Sequence, residues 1–254
     1  MTPLPASLKT KSVRETNRRF WLWHAGLPAV LVLLGTMLFR LTSLDLSISQ
    51  FIFAAGGNSW EWGDHVPWKQ LFDFGKIPGF LLLLTGLALL AAGFFWSDAR
   101  RWRASAVFLV LVMLIGPGLV TNLLLKEHWG RPRPRQVQEF GGQYPFEPVL
   151  IYDVSSPGRS FPSGHASGAF IFVALYFVAL FQGWSSRVRW SLFWAGLLFG
   201  AAMGMARILQ GGHFASDVMW ALAVVWLVAC VCAAWILRLP GAAGENEREI
   251  LHRR

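Results

Sequence analysis

The chain has 254 residues, of which 54% are hydrophobic and 15% charged, and its mean hydropathy is +0.44. A composition this apolar excludes disorder, a collagen-like repeat and a coiled coil, and it argues against a water-soluble protein. The formal net charge of +9 would suit a nucleic-acid partner. The basic residues, however, divide between the two ends of the apolar segments, so we predict a membrane protein without a nucleic-acid partner.

Six apolar stretches are long enough to cross a bilayer core of about 30 Å, which needs about 20 helical residues. They lie near residues 21–41, 77–97, 104–125, 162–183, 190–209 and 214–237. Residues 42–76 mix apolar and polar side chains and predict short helices at the membrane interface. No small-residue cleavage site follows the first stretch, so we interpret it as a retained helix. The prediction is an all-α bundle of six transmembrane helices, one membrane-embedded domain over residues 1–254.

Orientation follows from the basic residues. Fourteen of the 23 Lys and Arg lie at one set of ends, in the tail 1–20, at Arg238 and in the tail 239–254, and in the turns near residues 101 and 188. By the positive-inside rule these ends, including both termini, are cytoplasmic. The loop over residues 135–160 then faces the periplasm of a bacterial inner membrane. Since its two ends are pinned by motifs, we interpret this loop as a lid or head-group selector.

Three polar clusters share the outer ends of the predicted helices. The first contains Lys126 and Arg133 after the third stretch, and the second contains Ser163, Gly164 and His165 at the start of the fourth. The third joins Arg207 at the end of the fifth stretch with His213 and Asp217 at the start of the sixth. Helical geometry places these clusters at one membrane face, which predicts a single site.

The residue types suit a phosphate ester. Lys126, Arg133 and Arg207 supply cationic donors, and the Arg fork matches phosphoryl oxygens in pairs. Pro162 is expected early in its helix, so that the N–H groups near Ser163 and Gly164 face an anion, as free helix N-termini do.

The two histidines divide the chemistry. His213 and Asp217 are spaced i, i+4, so the carboxylate can accept one ring N–H and leave the other nitrogen free to attack phosphorus. His165 is then available as the general acid for the leaving group. Cys230 and Cys232 cannot bridge each other, and no Cys/His cluster suggests zinc. The sequence therefore predicts a site with neither metal nor cofactor.

These motifs resemble those of a known family. Lys126-x6-Arg133-Pro134, Pro162-Ser163-Gly164-His165 and Arg207-x5-His213-x3-Asp217 are similar, in order and placement, to the three signature motifs of the type 2 phosphatidic acid phosphatase (PAP2) superfamily of membrane lipid phosphatases. One departure is Ala206, where the family usually has Ser. The resemblance implies a phosphohistidine on His213, acid catalysis by His165, orientation by Asp217, and phosphate binding by the remaining motif residues, namely Lys126, Arg133, Ser163, Gly164 and Arg207.

The substrate stays open at this point. The resemblance implies a lipid phosphate or pyrophosphate, with undecaprenyl pyrophosphate, phosphatidylglycerol phosphate, phosphatidic acid and lipid A as candidates. Phe140-Gly141-Gly142 and the run 160–167 resemble the branch that includes lipid A phosphatases. A lipid-to-lipid phosphotransferase would use the same residues. An intramembrane serine protease would not need the three cations, and an anion transporter should show inverted repeats.

Some features have no assigned role. Arg131, Arg135 and Arg159 could hold a second phosphate, a sugar or an anionic lipid. Membrane lipids are expected partners, and the sequence leaves the oligomeric state open.

Overall fold

The computed structural model describes residues 15–153 and 155–239. The tail residues before and after these ranges, which carry many of the basic residues used for orientation, lie outside the described part. The described chain folds as helices without a strand. The helices are α1 (Glu15–Leu41), α2 (Leu44–Ala55), α3 (Trp68–Phe95), α4 (Arg103–Lys126), α5 (Gly164–Phe181), α6 (Ser186–Leu209) and α7 (Ala215–Trp235). All but α2 are long and apolar enough to span a membrane, which confirms the predicted six-helix bundle.

The second spanning helix begins earlier than the sequence predicted. It starts at Trp68 instead of residue 77, and it bends where Gly75 and Lys76 separate Trp68–Phe74 from Ile77–Phe95. These first turns contain polar Lys69, Gln70 and Asp73, which interrupt the apolar pattern that predicts a membrane helix. Residues 42–76, predicted as short helices at the interface, therefore contain α2, a 3-10 turn at Glu61–Asp64 and the start of α3.

Helix α6 packs closely against its neighbours through a row of glycines. Gly196, Gly200 and Gly204 follow one face of it, and a β-carbon on Gly196 would lie 2.6 Å from the backbone of Phe172 in α5. A β-carbon on Gly200 would overlap the ring of Phe170. This small-residue face lets α5 approach α6 closely, as is common between membrane helices. It brings the start of α5 next to the end of α6.

The C-terminal half of α4 has wider helical turns than an α-helix. Leu114–Lys126 winds as a π-helix around Pro117, which has no N–H to donate. The side-chain amide of Asn122 donates to the Pro117 carbonyl at 2.6 Å. Lys126, a predicted site residue, is the last residue of this π-helical segment.

The loop after α4 is ordered by short turns at Pro134–Gln136 and Gln138–Phe140. Val137 and Phe140 are buried against Phe214, at the entrance to α7. The loop thus packs on the start of α7, where two predicted site residues lie.

Candidate active site

The C-terminal ends of α4 and α6 and the N-terminal ends of α5 and α7 bring the predicted residues together. A β-carbon on Gly164 would lie 3.2 Å from Nζ of Lys126 and would overlap Oδ1 of Asn122, so a larger residue there would displace the Asn122 amide. The backbone N–H of Ser163 donates to the carbonyl of Asp217 at 3.2 Å, which joins the start of α5 to α7. Arg133 lies within electrostatic range of Lys126 and of Arg207.

His213 is buried, with 1% of its surface exposed, and its ring orientation is fixed. Nδ1 lies 2.6 Å from the backbone carbonyl of Ser160. A carbonyl only accepts, so Nδ1 carries the proton and Nε2 keeps a free lone pair. Burial lowers the pKa of His213 to about 4, and the charges of Arg207 and Lys126 act in the same direction. His213 is therefore a neutral imidazole at pH 7.

The role expected for Asp217 differs in detail from this geometry. Its Oδ2 lies 3.7 Å from Nδ1 of His213, beyond a normal hydrogen bond. Asp217 instead accepts from the Ser160 hydroxyl at 2.6 Å and from the Phe214 N–H at 2.8 Å. It therefore holds Ser160, and the Ser160 carbonyl holds His213. Direct orientation of the imidazole by Asp217 stays a prediction.

Arg131 lies inside the protein and not at a ligand surface. It is fully buried, and its NH1 lies 2.5 Å from Oδ1 of Asp217 while its NH2 lies 2.9 Å from Oδ2 of Asp45. Burial alone would lower the pKa of Arg131, but Asp217 and Asp45 together raise it. The suggestion that Arg131 holds a second phosphate, a sugar or an anionic lipid is wrong, because the guanidinium is enclosed by two carboxylates.

The other two unassigned arginines are exposed. Arg159 pairs with Glu127 at 2.9 Å, and Arg135 donates its backbone N–H to the Gly211 carbonyl at 3.1 Å. Burial, together with the charges of Arg135 and Arg159, lowers the pKa of Arg133. The mouth of the site is thus crowded with positive charge, as an anion site requires.

Helix α5 begins two residues later than the sequence predicts. The helix begins at Gly164, and Ser163 is its N-cap, with Oγ 3.4 Å from the N–H of Ala166. Pro162 precedes the cap and is not an early helical residue. The N–H of Ser163 is already bonded to Asp217, which leaves those of Gly164 and His165, in the first turn, without an acceptor inside the helix.

Phe72, which the sequence does not single out, contacts two predicted site residues. Its ring stacks on His165, and the Arg207 guanidinium lies 4.6 Å from the ring centroid. Arg207 also bonds to the side chain of Gln210. Its buried Nε has no hydrogen-bond partner within the described residues. A buried donor of this kind fits an anionic ligand.

Three contributing residues were missed by sequence reasoning. Ser160 and Phe72 gave no signal, because their roles depend on contacts between distant segments. Asp45 gave one that was overlooked: a carboxylate in an apolar helix is costly unless paired. Among the described residues no group of three or more His, Cys, Asp or Glu is arranged to hold a metal ion.

Six membrane-length helices, with cations and two histidines gathered at one end of the last four, are the arrangement of a multi-pass membrane enzyme of the phosphoric ester hydrolase class. The chain belongs to the PAP2 superfamily, whose sequence model matches residues 105–240. The family predicted from the motifs is thereby confirmed.

Similar proteins are known from several bacteria. The lipid A 4'-phosphatase of Francisella tularensis subsp. novicida is 33% identical over 163 residues, which cover 63% of this chain and 71% of that protein. A lipid A 4'-phosphatase of Rhizobium etli is 36% identical over 144 residues, 56% of this chain and 52% of the relative. A lipid A 1-phosphatase of Rhizobium johnstonii is 32% identical over 138 residues, 52% of this chain and 51% of the relative. The match thus spans about half the length of these Rhizobium relatives. No solved structure matches significantly.

Proposed function

We propose that this protein hydrolyses a phosphomonoester on the sugar head group of lipid A through a phosphohistidine on His213. Family membership and the relatives support a membrane lipid phosphatase that acts on a head-group phosphate. The observation that carries the proposal is the bond from His213 Nδ1 to the Ser160 carbonyl, 2.6 Å long, because it leaves Nε2 unprotonated on a ring that the positive charges of Arg207 and Lys126 reach.

The first chemical step transfers the phosphoryl group. Nε2 of His213 attacks phosphorus, the bond from phosphorus to the sugar oxygen breaks, and His165 donates a proton to the departing alkoxide. Lys126, Arg133 and Arg207 offset the charge on the phosphoryl oxygens, and the free N–H groups of α5 add further donors.

The second step releases phosphate. His165, now unprotonated, accepts a proton from water while the water oxygen bonds to phosphorus. The bond between phosphorus and Nε2 breaks, and inorganic phosphate leaves. If another lipid hydroxyl took the place of water, the same residues would perform a phosphotransfer.

The proposed orientation puts the site at the periplasmic face of a bacterial inner membrane, with both termini in the cytoplasm. An excess of Lys and Arg in the turns at the opposite ends of the helices supports this orientation. The lipid would then approach sideways, with its acyl chains still in the bilayer.

The test uses the full chain purified in detergent. It is incubated separately with lipid A, undecaprenyl pyrophosphate, phosphatidylglycerol phosphate and phosphatidic acid, and released phosphate and lipid products are measured, the latter by mass spectrometry. We expect lipid A to lose one phosphate and the His213→Gln variant to release none. Release from another lipid, with lipid A untouched, would contradict the proposed substrate. Phosphate found on a second lipid would identify a phosphotransferase.

A further inference from the structure

We propose that Asp45 and Arg131 are positioning residues whose buried charges stabilise a positive charge on His213 during turnover. The inference rests on the proposed function, since it assigns these residues a part in forming the phosphohistidine. Asp45 lies in α2, outside the residues 105–240 that match the superfamily. The three-motif pattern therefore does not include it.

The two residues belong to a closed hydrogen-bonded network. Nε of Arg131 donates to the Glu147 carbonyl at 3.0 Å, and its NH1 donates to Oγ of Ser216 at 2.8 Å. Oδ1 of Asp45 accepts from the Ser216 N–H at 3.0 Å, and Oδ2 accepts from the Ser216 hydroxyl at 2.5 Å. With Asp217 bound to NH1 of Arg131, the network joins α2 and the loop after α4 to the first turn of α7.

The charges in this network do not cancel. Asp45 and Asp217 contribute two negative charges and Arg131 one positive charge, and all three side chains are at most 1% exposed. An unbalanced buried charge is costly. Arg131 would already be neutralised by Asp217 alone, so Asp45 supplies the excess negative charge.

The balancing charge belongs on His213. Its Nδ1 lies 3.7 Å from Oδ2 of Asp217 and carries a proton. When Nε2 bonds to phosphorus, the ring keeps that proton and becomes cationic. The sum over Asp45, Asp217, Arg131 and the ring is then zero. The network is thus complementary to the ring in its phosphorylated form, which is the property that accelerates a step.

The other groups that face His213 oppose this charge. Lys126 of α4, His165 of α5 and Arg207 of α6 all act on it as positive or titratable groups. They bind the phosphate but disfavour a cationic ring. The Asp45 carboxylate, bound to Arg131 and Ser216, has the opposite charge and offsets them.

The first test measures the protonation of His213 and needs no substrate. Imidazole signals of the full chain in detergent are followed by NMR as the pH is lowered, and His213 is assigned by the signal lost in His213→Gln. In Asp45→Asn the pH midpoint of the His213 titration should fall by about half a pH unit or more, because one negative charge of the network is removed. Asp64→Asn, an exposed carboxylate on the same side of the bundle, is the matched control and should leave the midpoint in place.

A second variant separates charge from scaffold. Asp45→Asn combined with Arg131→Met leaves Asp217 as the one charge of the network, so the net charge returns to the original value. The midpoint should return to that of the unaltered protein or rise above it, even if turnover stays low. A purely structural role for Asp45 predicts no such recovery. An unchanged midpoint in Asp45→Asn, or no recovery in the double variant, would overturn the inference.

The kinetic counterpart is phosphoenzyme formation. With lipid A, Asp45→Asn should slow formation of labelled enzyme by about tenfold or more and leave KM within about twofold, since the lost interaction is made in the transition state. Equal rates in the two proteins would contradict the inference. If the unaltered protein released no phosphate from any lipid, the proposed function would fail, while the titration would still decide about Asp45.

Discussion

The ring of Phe72 stacks on the imidazole of His165, with centroids 5.0 Å apart and planes inclined by 23°. The guanidinium of Arg207 also lies over this ring, 4.6 Å from its centroid. Phe72 comes from the first turns of α3, which lie outside the superfamily match. One aromatic side chain therefore orients two predicted site residues that belong to different helices.

Replacing Phe72 by Leu should keep an apolar, somewhat smaller side chain and remove the aromatic face. Loss of a cation-π contact of about 0.5–2 kcal/mol predicts a fall in kcat/KM of roughly 2- to 30-fold. The measurement is steady-state phosphate release from lipid A. Phe74→Leu, at a 60% exposed position two residues along, is the control and should behave like the unaltered chain. Equal losses in the two variants would show that the stacking has no specific role.

A covalent intermediate should form on His213. In a rapid-quench experiment with labelled lipid, the unaltered protein should carry acid-labile, base-stable phosphate, and His213→Ala should carry none. His165→Ala should slow formation of the labelled enzyme, because the leaving alkoxide then lacks its proton donor. Label on Ser163 would instead point to a serine nucleophile and to the protease-like alternative.

The buried imidazole of His213 should make stability depend on pH. Its pKa is lowered to about 4 in the folded chain, from 6.5 in an exposed histidine. Between these values the unfolded chain binds a proton that the folded chain does not, so the free energy of unfolding falls as pH drops from 6.5 to 4. The contribution approaches about 3 kcal/mol. Unfolding in detergent should show this slope, and His213→Gln should have a shallower one; parallel slopes would refute it.

Catalysis should not require a divalent metal. Phosphate would be held by Lys126, Arg133 and Arg207, whose positive charges repel a cation and do the work that a metal does elsewhere. Phosphate release should be unaffected by EDTA, and vanadate should inhibit. Activity that disappears in EDTA and returns with magnesium would contradict the prediction.

The orientation can be tested with single cysteines. Gln143 in the loop after α4 and Ser186 at the start of α6 are both exposed. In a background without Cys230 and Cys232, an impermeant maleimide should label Gln143→Cys but not Ser186→Cys on intact spheroplasts. Permeabilised cells, in which both should react, are the control. The reverse pattern on intact spheroplasts would place the site in the cytoplasm.

The sequence by itself determined the six spanning helices and the motif residues that meet at one end of them. These follow from local information, because apolar length predicts a membrane helix and helix ends place the motif residues. The sequence could not predict the contacts of Arg131, because Asp45 and Asp217 each lie 86 positions away along the chain. Whether such a side chain points into the protein or toward a ligand depends on how helices rotate and loops pack. The tertiary structure alone decided that His213 is held by the Ser160 carbonyl and that Phe72 contacts both His165 and Arg207.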